Sequence, residues 1–237
     1  MRAVIIGASG GIGAAFTSNL AGRSDIDAVY ALSRSGIQHD NPKVISGKID
    51  LLDEDSVKAA ADQVKQGGAP ALVIVATGLL SERDLQPEKS YRHQELDAFR
   101  RVFDINTFGP GIIAKHFLPL MPRSGRAVFA ALSARVGSIS DNRLGGWHAY
   151  RASKAALNML VRNYAIEQAR RNEDFIAVAL HPGTVDTGLS KPFQGNVPGK
   201  QLFTPDQSAD YLLKVIDSLS PDQTGKAFDW AGKEIPA

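Results

Sequence analysis

Tyr150 and Lys154 stand four positions apart at the start of a stretch, Tyr150 to Arg171, that is rich in Ala and Leu and contains neither Gly nor Pro. That composition predicts a helix. On a helix, positions i and i+4 lie one above the other, so the phenol and the ammonium can point into one cleft. A cation beside a phenol favours phenolate and draws a group with a pKa of about 10 towards working pH. Tyr150 can then exchange a proton with a carbonyl or alcohol oxygen. Ser133 follows a strand-like run, Ala127 to Leu132, which puts a hydroxyl where parallel sheets place their ligands. A Tyr–Lys pair at this spacing is by itself more often a surface pair, so its meaning depends on the elements around it.

Those elements begin at the N-terminus. Arg2 to Ile6 reads as a strand, and Gly7, Gly11 and Gly13 form a GxxxGxG turn into a helix closed by Gly22. Glycines in such a turn let the backbone approach a pyrophosphate, and the helix start offers it unpaired N–H groups. Asp27 to Leu32 is the next strand, followed by Ser33 and Arg34, with no carboxylate there to accept a ribose 2′-hydroxyl. A cation at this place suits a 2′-phosphate, so NADP(H) is the expected cofactor and NAD(H) the possible one. Lys43 to Ile49 is a third strand leading into Asp50, which can meet an adenine amino group or cap a helix. Asp53 is the better N-cap for a helix from Glu54 to Gln66.

Ala71 to Ala76 reads as a central buried strand ending in Thr77-Gly78, where backbone can again approach a ligand. Leu79 to Glu95 reads as a loop. Leu96 to Met121 reads as a helix interrupted at Gly109-Pro110-Gly111, with Asn106 just ahead of the break, where loosened backbone could hold a water. A sixth strand, Phe175 to Leu180, leads into HPGTVDTG, whose Pro182, Gly183 and Thr187 fall in a βα loop. Leu189 to Phe203 has the composition of a flap, in which Leu189 and Phe193, with Leu144 and Trp147, are candidate pocket residues. A last helix runs from Thr204-Pro205-Asp206 to about Leu219, and Lys226 to Trp230 closes the chain as a strand.

Strands alternating with helices predict an α/β, Rossmann-like doubly wound sheet, mostly parallel, of about seven strands with helices on both faces. All 237 residues are expected to form one dinucleotide-binding domain, with a substrate loop at about 187–203. Hydrophobic content of 43% and 22% charged residues are globular values. A net charge of +2 without a block of like charges implies no nucleic-acid partner. There is no cysteine, and the five histidines are scattered, so no metal site is expected. The apolar run before Gly7 is too short for a signal peptide and no run has the length of a membrane span, so a cytoplasmic protein is expected.

In order, Gly7, Gly11 and Gly13, Asp50, Thr77-Gly78, Asn106, Ser133, Tyr150 and Lys154, then Pro182-Gly183 with Thr187, resemble the short-chain dehydrogenase/reductase family. The resemblance covers nearly the whole chain and is nearest to the compact C-factor-like and sniffer-like carbonyl reductases. It implies a carbonyl–alcohol oxidoreductase in which Tyr150 is the general acid or base, Lys154 lowers its pKa and binds the nicotinamide ribose, Ser133 holds the substrate oxygen and Asn106 anchors a relay water. It implies a cofactor site at Gly7, Ser9, Gly11, Ile12, Gly13, Ser33, Arg34, Asp50, Leu51, Thr77, Gly78, Tyr150, Lys154, Pro182, Gly183, Val185 and Thr187. A small carbonyl or alcohol substrate and a homodimer or homotetramer follow from the same likeness. A dinucleotide-binding sensor or signalling protein is the alternative. The chain departs from the family pattern at Ile6, at Ala76-Thr77-Gly78, and in having Ala134, with Ser133 one place further back, three positions before Gly137. Ser138 is the fallback serine.

Overall fold

Alternate residues of the first strand, β1 (Arg2–Ile6), face opposite ways: Ala3 and Ile5 enter one buried cluster, Val4 and Ile6 another. This period of two is what lets one sheet carry helices on both faces. The computed structural model describes residues 1–196 and 202–237. Its sheet has eight strands in the order β10-β9-β6-β5-β4-β1-β2-β3. They are β1, β2 (Ala28–Ser33), β3 (Val44–Lys48), β4 (Leu72–Val75), β5 (Ala127–Leu132), β6 (Phe175–His181), β9 (Lys226–Asp229) and β10 (Glu234–Ile235). All pairings are parallel except that of β9 with β10. Each of the seven expected strands is present; β10, two residues long, is the addition, too short to show a period in sequence.

Helices α1 (Gly11–Ala21) and α6 (Pro205–Ser218) cover the face carrying Ile5, and α2 (Glu54–Gly67), α4 (Gly109–Phe117) and α5 (His148–Ala169) cover the face carrying Val4. The Asp53 side chain caps α2, accepting from the amides of Asp55 and Ser56. Thr204 and Gln207 form a reciprocal capping box on α6. The residues 79–95 carry only a 3₁₀ turn, Tyr91–His93, and an isolated bridge between Glu82 and Leu85.

One expectation is corrected. The interruption expected at Gly109-Pro110-Gly111 lies five residues earlier. Helix α3 (Leu96–Phe103) passes through a π-helical turn, Asp104–Phe108, into α4, where Pro110 occupies the first turn and needs no hydrogen-bond partner. Asn106 therefore sits inside the distortion rather than ahead of it. The described part of the stretch expected as a flap, Leu189 to Phe203, carries a 3₁₀ turn, Lys191–Asn196, and β8 (Leu202–Phe203), which pairs in parallel with β7 (Thr184–Val185). Residues 197–201 of that expected loop lie outside the described residues.

Candidate active site

Strand order reverses between β1 and β4, and both glycine loops open at that crevice. Two cavities meet there. One, of about 370 Å³, is lined by Gly11, Ile12, Ser133, Tyr150, Lys154, Pro182, Gly183, Val185 and Thr187, along with Ala134, His181 and Leu189. The other, of about 320 Å³, is lined by Gly7, Ser9, Ser33, Arg34, Asp50 and Leu51, together with Glu82 and Arg101. Gly10, Ala76, Thr77 and Gly78 line both. The crevice therefore runs from the end of β2 across β1 to the start of α5, the reach of a dinucleotide laid over a switch point.

The first turn is built for close approach. Gly7 has φ +92°, and a Cβ on Gly13 would lie 2.1 Å from the Gly7 carbonyl oxygen. Gly13 lines neither cavity; it lets α1 start directly beneath the turn. Two buried hydroxyls, Ser33 Oγ and Thr77 Oγ1, have no partner among the described residues. Buried polar atoms are rarely left unpaired, so these two mark where a bound group would accept or donate. With the glycine cradle they fit the ribose and phosphates of a dinucleotide. Asp50 accepts from the amide of Leu52 through one carboxylate oxygen, and Arg34 is exposed at the cavity edge.

Tyr150 lies in the first turn of α5, and how that turn is held explains its aim. Gly145, Gly146 and Trp147 all have positive φ, Trp147 being the only such residue other than glycine among those described. The conformation is unfavourable for a bulky side chain. It is held by Glu88, whose carbonyl accepts from the Trp147 amide at 2.6 Å and whose buried carboxylate accepts from the Ala149 amide at 3.2 and 3.3 Å. That carboxylate also complements the positive end of α5. The Trp147 ring then stands edge-on to Tyr150 at 6.2 Å and against Phe193 at 5.2 Å. Leu144 is 90% exposed and takes no part.

Both groups of the pair are buried, and burial decides their protonation. Lys154 Nζ donates to the Leu132 carbonyl at 2.8 Å and sits 5.9 Å from the Tyr150 ring centre. Desolvation lowers the ammonium to about 7 and raises the phenol to about 12. This reverses the expectation that Lys154 draws Tyr150 down: desolvation is the cause in both groups, so the phenol keeps its proton at neutral pH. Tyr150 is thus configured as a proton donor.

Asn106 is fully buried in the π-helical turn and lines neither cavity. Its amide closes a two-way bridge with the backbone of Leu79, accepting from the N–H at 2.7 Å and donating to the carbonyl at 2.8 Å. It also donates to Ser153 Oγ at 3.1 Å. The side chain therefore holds the loop after β4 against α5.

Ser133 Oγ donates to Asn158 Oδ1 at 2.7 Å. Ser138, the fallback, lines neither cavity and accepts from the amide of Asp141. Asn158 and His181 escaped the sequence reading. Asn158 continues the Tyr150–Lys154 spacing by one more turn of α5, and His181 closes β6 directly before Pro182, so both carried a positional signal.

The sequence model described as short chain dehydrogenase matches residues 1–197. C-signal of Myxococcus xanthus is 40% identical over 136 residues, which cover 57% of this chain and 76% of that protein. The 1-hydroxy-2-glutathionyl-2-methyl-3-butene dehydrogenase of Rhodococcus sp. (strain AD45) is 30% identical over 230 residues, 94% of this chain and 93% of that one. Among solved structures, an NADPH-bound carbonyl reductase from chicken fatty liver superposes with a TM-score of 0.85 at 28% identity, covering 100% of this chain and 98% of its own. The carbonyl reductase Sniffer of Drosophila melanogaster shares the fold, with a TM-score of 0.83 at 20% identity over 100% and 99% of the two chains.

Proposed function

This chain belongs to the short-chain dehydrogenase family of oxidoreductases, and from that premise we propose that it reduces a small, neutral carbonyl compound to an alcohol, using NADP(H) in preference to NAD(H). The observation that carries the reading is the pairing of Tyr150 with a backbone-anchored Lys154 at one cavity that continues through Thr77 and Gly78 into a second. When bound, a nicotinamide dinucleotide supplies the hydride. Gly7, Ser9, Gly11 and Ile12 would take its pyrophosphate, with Gly13 packed beneath the turn, Ser33, Arg34, Asp50 and Leu51 its adenosine end, and Thr77, Gly78, Lys154, Pro182, Gly183, Val185 and Thr187 its nicotinamide half. Exposed Arg34 and unpaired Ser33 at the end of β2 support the 2′-phosphate preference, and Glu82, the carboxylate that lines the same cavity, is paired with Arg101.

Tyr150 donates its proton to the carbonyl oxygen as the alcohol forms. Lys154 fixes the end of β5 and supplies the nearby positive charge whenever it is protonated. Ser133, its proton directed to Asn158, keeps lone pairs with which to accept from an alcohol hydroxyl. Asn106 positions the loop that carries Thr77-Gly78. The substrate enters beside residues 187–203 within a single domain spanning 1–237, in a cytoplasmic protein; the absence of cysteine supports that location. The similarity to C-signal supports a second reading, a dinucleotide-binding signalling protein that acts through protein contacts.

Consumption of NADPH and of NADH across aldehydes, ketones and quinones, with Tyr150→Phe beside the wild type, tests the proposal. Some carbonyl should be turned over, with NADPH favoured, and loss of the phenolic proton should reduce kcat by about 10²-fold or more. Equal affinity for the two nucleotides sinks the NADP(H) preference. Tight NADPH binding with no turnover of any carbonyl moves the signalling reading ahead.

A further inference from the structure

The cavity at the adenosine end has more charged side chains than the one beside Tyr150. Among the described residues Arg34, Asp50, Glu82 and Arg101 line it. Glu82 and Arg101 meet there from two separate segments. Arg101 stands on α3, four residues before Ile105, which lines the same cavity. Glu82 lies in the loop after β4, in a turn closed by reciprocal backbone hydrogen bonds with Leu85, each of 3.0 Å. The pair uses both carboxylate oxygens: Oε1 accepts from Arg101 Nε at 2.8 Å and Oε2 from Nη2 at 3.4 Å. Arg101 is 38% and Glu82 43% exposed, a setting in which an ion pair adds little to stability. Its place on the wall of a ligand cavity is therefore the informative fact. Arg34 enters no ion pair among the described residues. Its charge nevertheless reaches the same carboxylate. The Arg101 hydrogen bond, then the charges of Arg101 and Arg34, hold Glu82 below the ordinary carboxylate range against the opposing effect of burial.

We propose that Arg101 is a specificity-determining residue for the 2′-phosphate of NADP(H), which it favours by cancelling the charge of the Glu82 carboxylate in the same cavity. The inference rests on the dinucleotide reading above. NADP(H) differs from NAD(H) in that phosphate alone, which brings about two negative charges to the adenosine end. A bare carboxylate within reach of Arg34 would repel the phosphate and compete for the cation that must meet it. Engagement of both Glu82 oxygens by Arg101 removes the repulsion and leaves Arg34 to the phosphate. NAD(H), with a neutral hydroxyl at the same position, is little affected by either charge.

The experiment measures the dissociation constants of NADPH and NADH by nucleotide fluorescence, with no carbonyl substrate present, for the wild type, Arg101→Met, Glu82→Gln and the double variant. Met keeps an unbranched side chain and Gln the shape of Glu, so each change chiefly removes a charge. Arg101→Met bares the carboxylate and should weaken NADPH by about 3-fold to 30-fold at low salt, leaving NADH within about twofold. Glu82→Gln frees Arg101 as a second cation and should tighten NADPH by about twofold to tenfold. The double variant should bind NADPH within about threefold of the wild type, because a charge and its counter-charge leave together. Raising the salt to about 0.5 M should shrink all these differences, which a purely structural effect would not do. An Arg101→Met variant that weakens both nucleotides alike, or a double variant as poor as Arg101→Met, shows that the pair only fastens the loop to α3 and overturns the proposal. If Arg101→Met fails to fold, Glu82→Gln decides, and NADPH affinity that stays level or falls overturns the proposal. A wild type with equal affinity for the two nucleotides removes the NADP(H) preference alone, since the effect of the pair is read from the change that each variant makes.

Discussion

At the scale of single residues, the chemistry turns on what burial does to two protons. A buried lysine binds its proton less tightly than in the unfolded chain, and a buried phenol holds its proton more tightly. Lys154 falls to about 7 from an ordinary 10.5, so between these values the unfolded chain carries the extra proton and stability rises with pH. Tyr150 rises to about 12 from 10.0, so above 10 the folded chain holds the extra proton and stability falls. Without added nucleotide, thermal melts of the wild type between pH 7 and pH 9 should gain more than those of Lys154→Met, in which the first effect is gone. Equal slopes for the two proteins would show that Lys154 titrates as if in water. The same residues define how far sequence reaches: the spacing of Tyr150 and Lys154 was legible, but the sign of the phenol's shift was not. Spacing gives proximity, and desolvation depends on everything that packs around it.

At the scale of elements, the site is held by joints between segments far apart in sequence. The π-helical turn Asp104–Phe108 is clamped to α5 by Asn106 on Ser153 Oγ and by Thr107 Oγ1 on the Ser153 carbonyl at 2.9 Å. Asn106 also supports both backbone groups of Leu79. Asn106→Ala breaks three hydrogen bonds and strands buried backbone groups, which should lower the unfolding free energy by about 2–4 kcal/mol in urea titration. A loss under about 1 kcal/mol would mean that the neighbouring backbone finds other partners. The Gly-Pro-Gly sequence marked this region as irregular, but proline at the start of α4 continues the helix, and the distortion falls where a buried amide must reach across to another chain segment.

At the scale of the whole molecule, four of the exposed large apolar side chains stand on α3, the π-helical turn and α5. Leu96 and Phe108, from α3 and the π-helical turn, and Met159 and Ile166, from α5, are 66, 57, 61 and 45% exposed. We propose that these helices pair with those of a second copy to give a homodimer, or by further pairing a homotetramer. Sedimentation should find a species of at least twice 25.4 kDa, and Phe108→Glu with Met159→Glu should reduce it to the monomer. A wild type that sediments as a 25.4 kDa monomer at micromolar concentration removes the proposal.

The sequence by itself determined the seven parallel strands, their alternation with helices, and the glycine turn at the switch point. These rest on local periodicity and on the conformational freedom of glycine, which short stretches of chain express unaided. It also placed Ser133, Tyr150 and Lys154 near one another. Only the tertiary structure decided which hydroxyl proton is already engaged, which imidazole nitrogen is enclosed, and how Glu88 holds Trp147 in a left-handed conformation beside Tyr150. Each of these depends on a partner tens of residues away, and hydrogen-bond geometry and desolvation exist only once such partners have met.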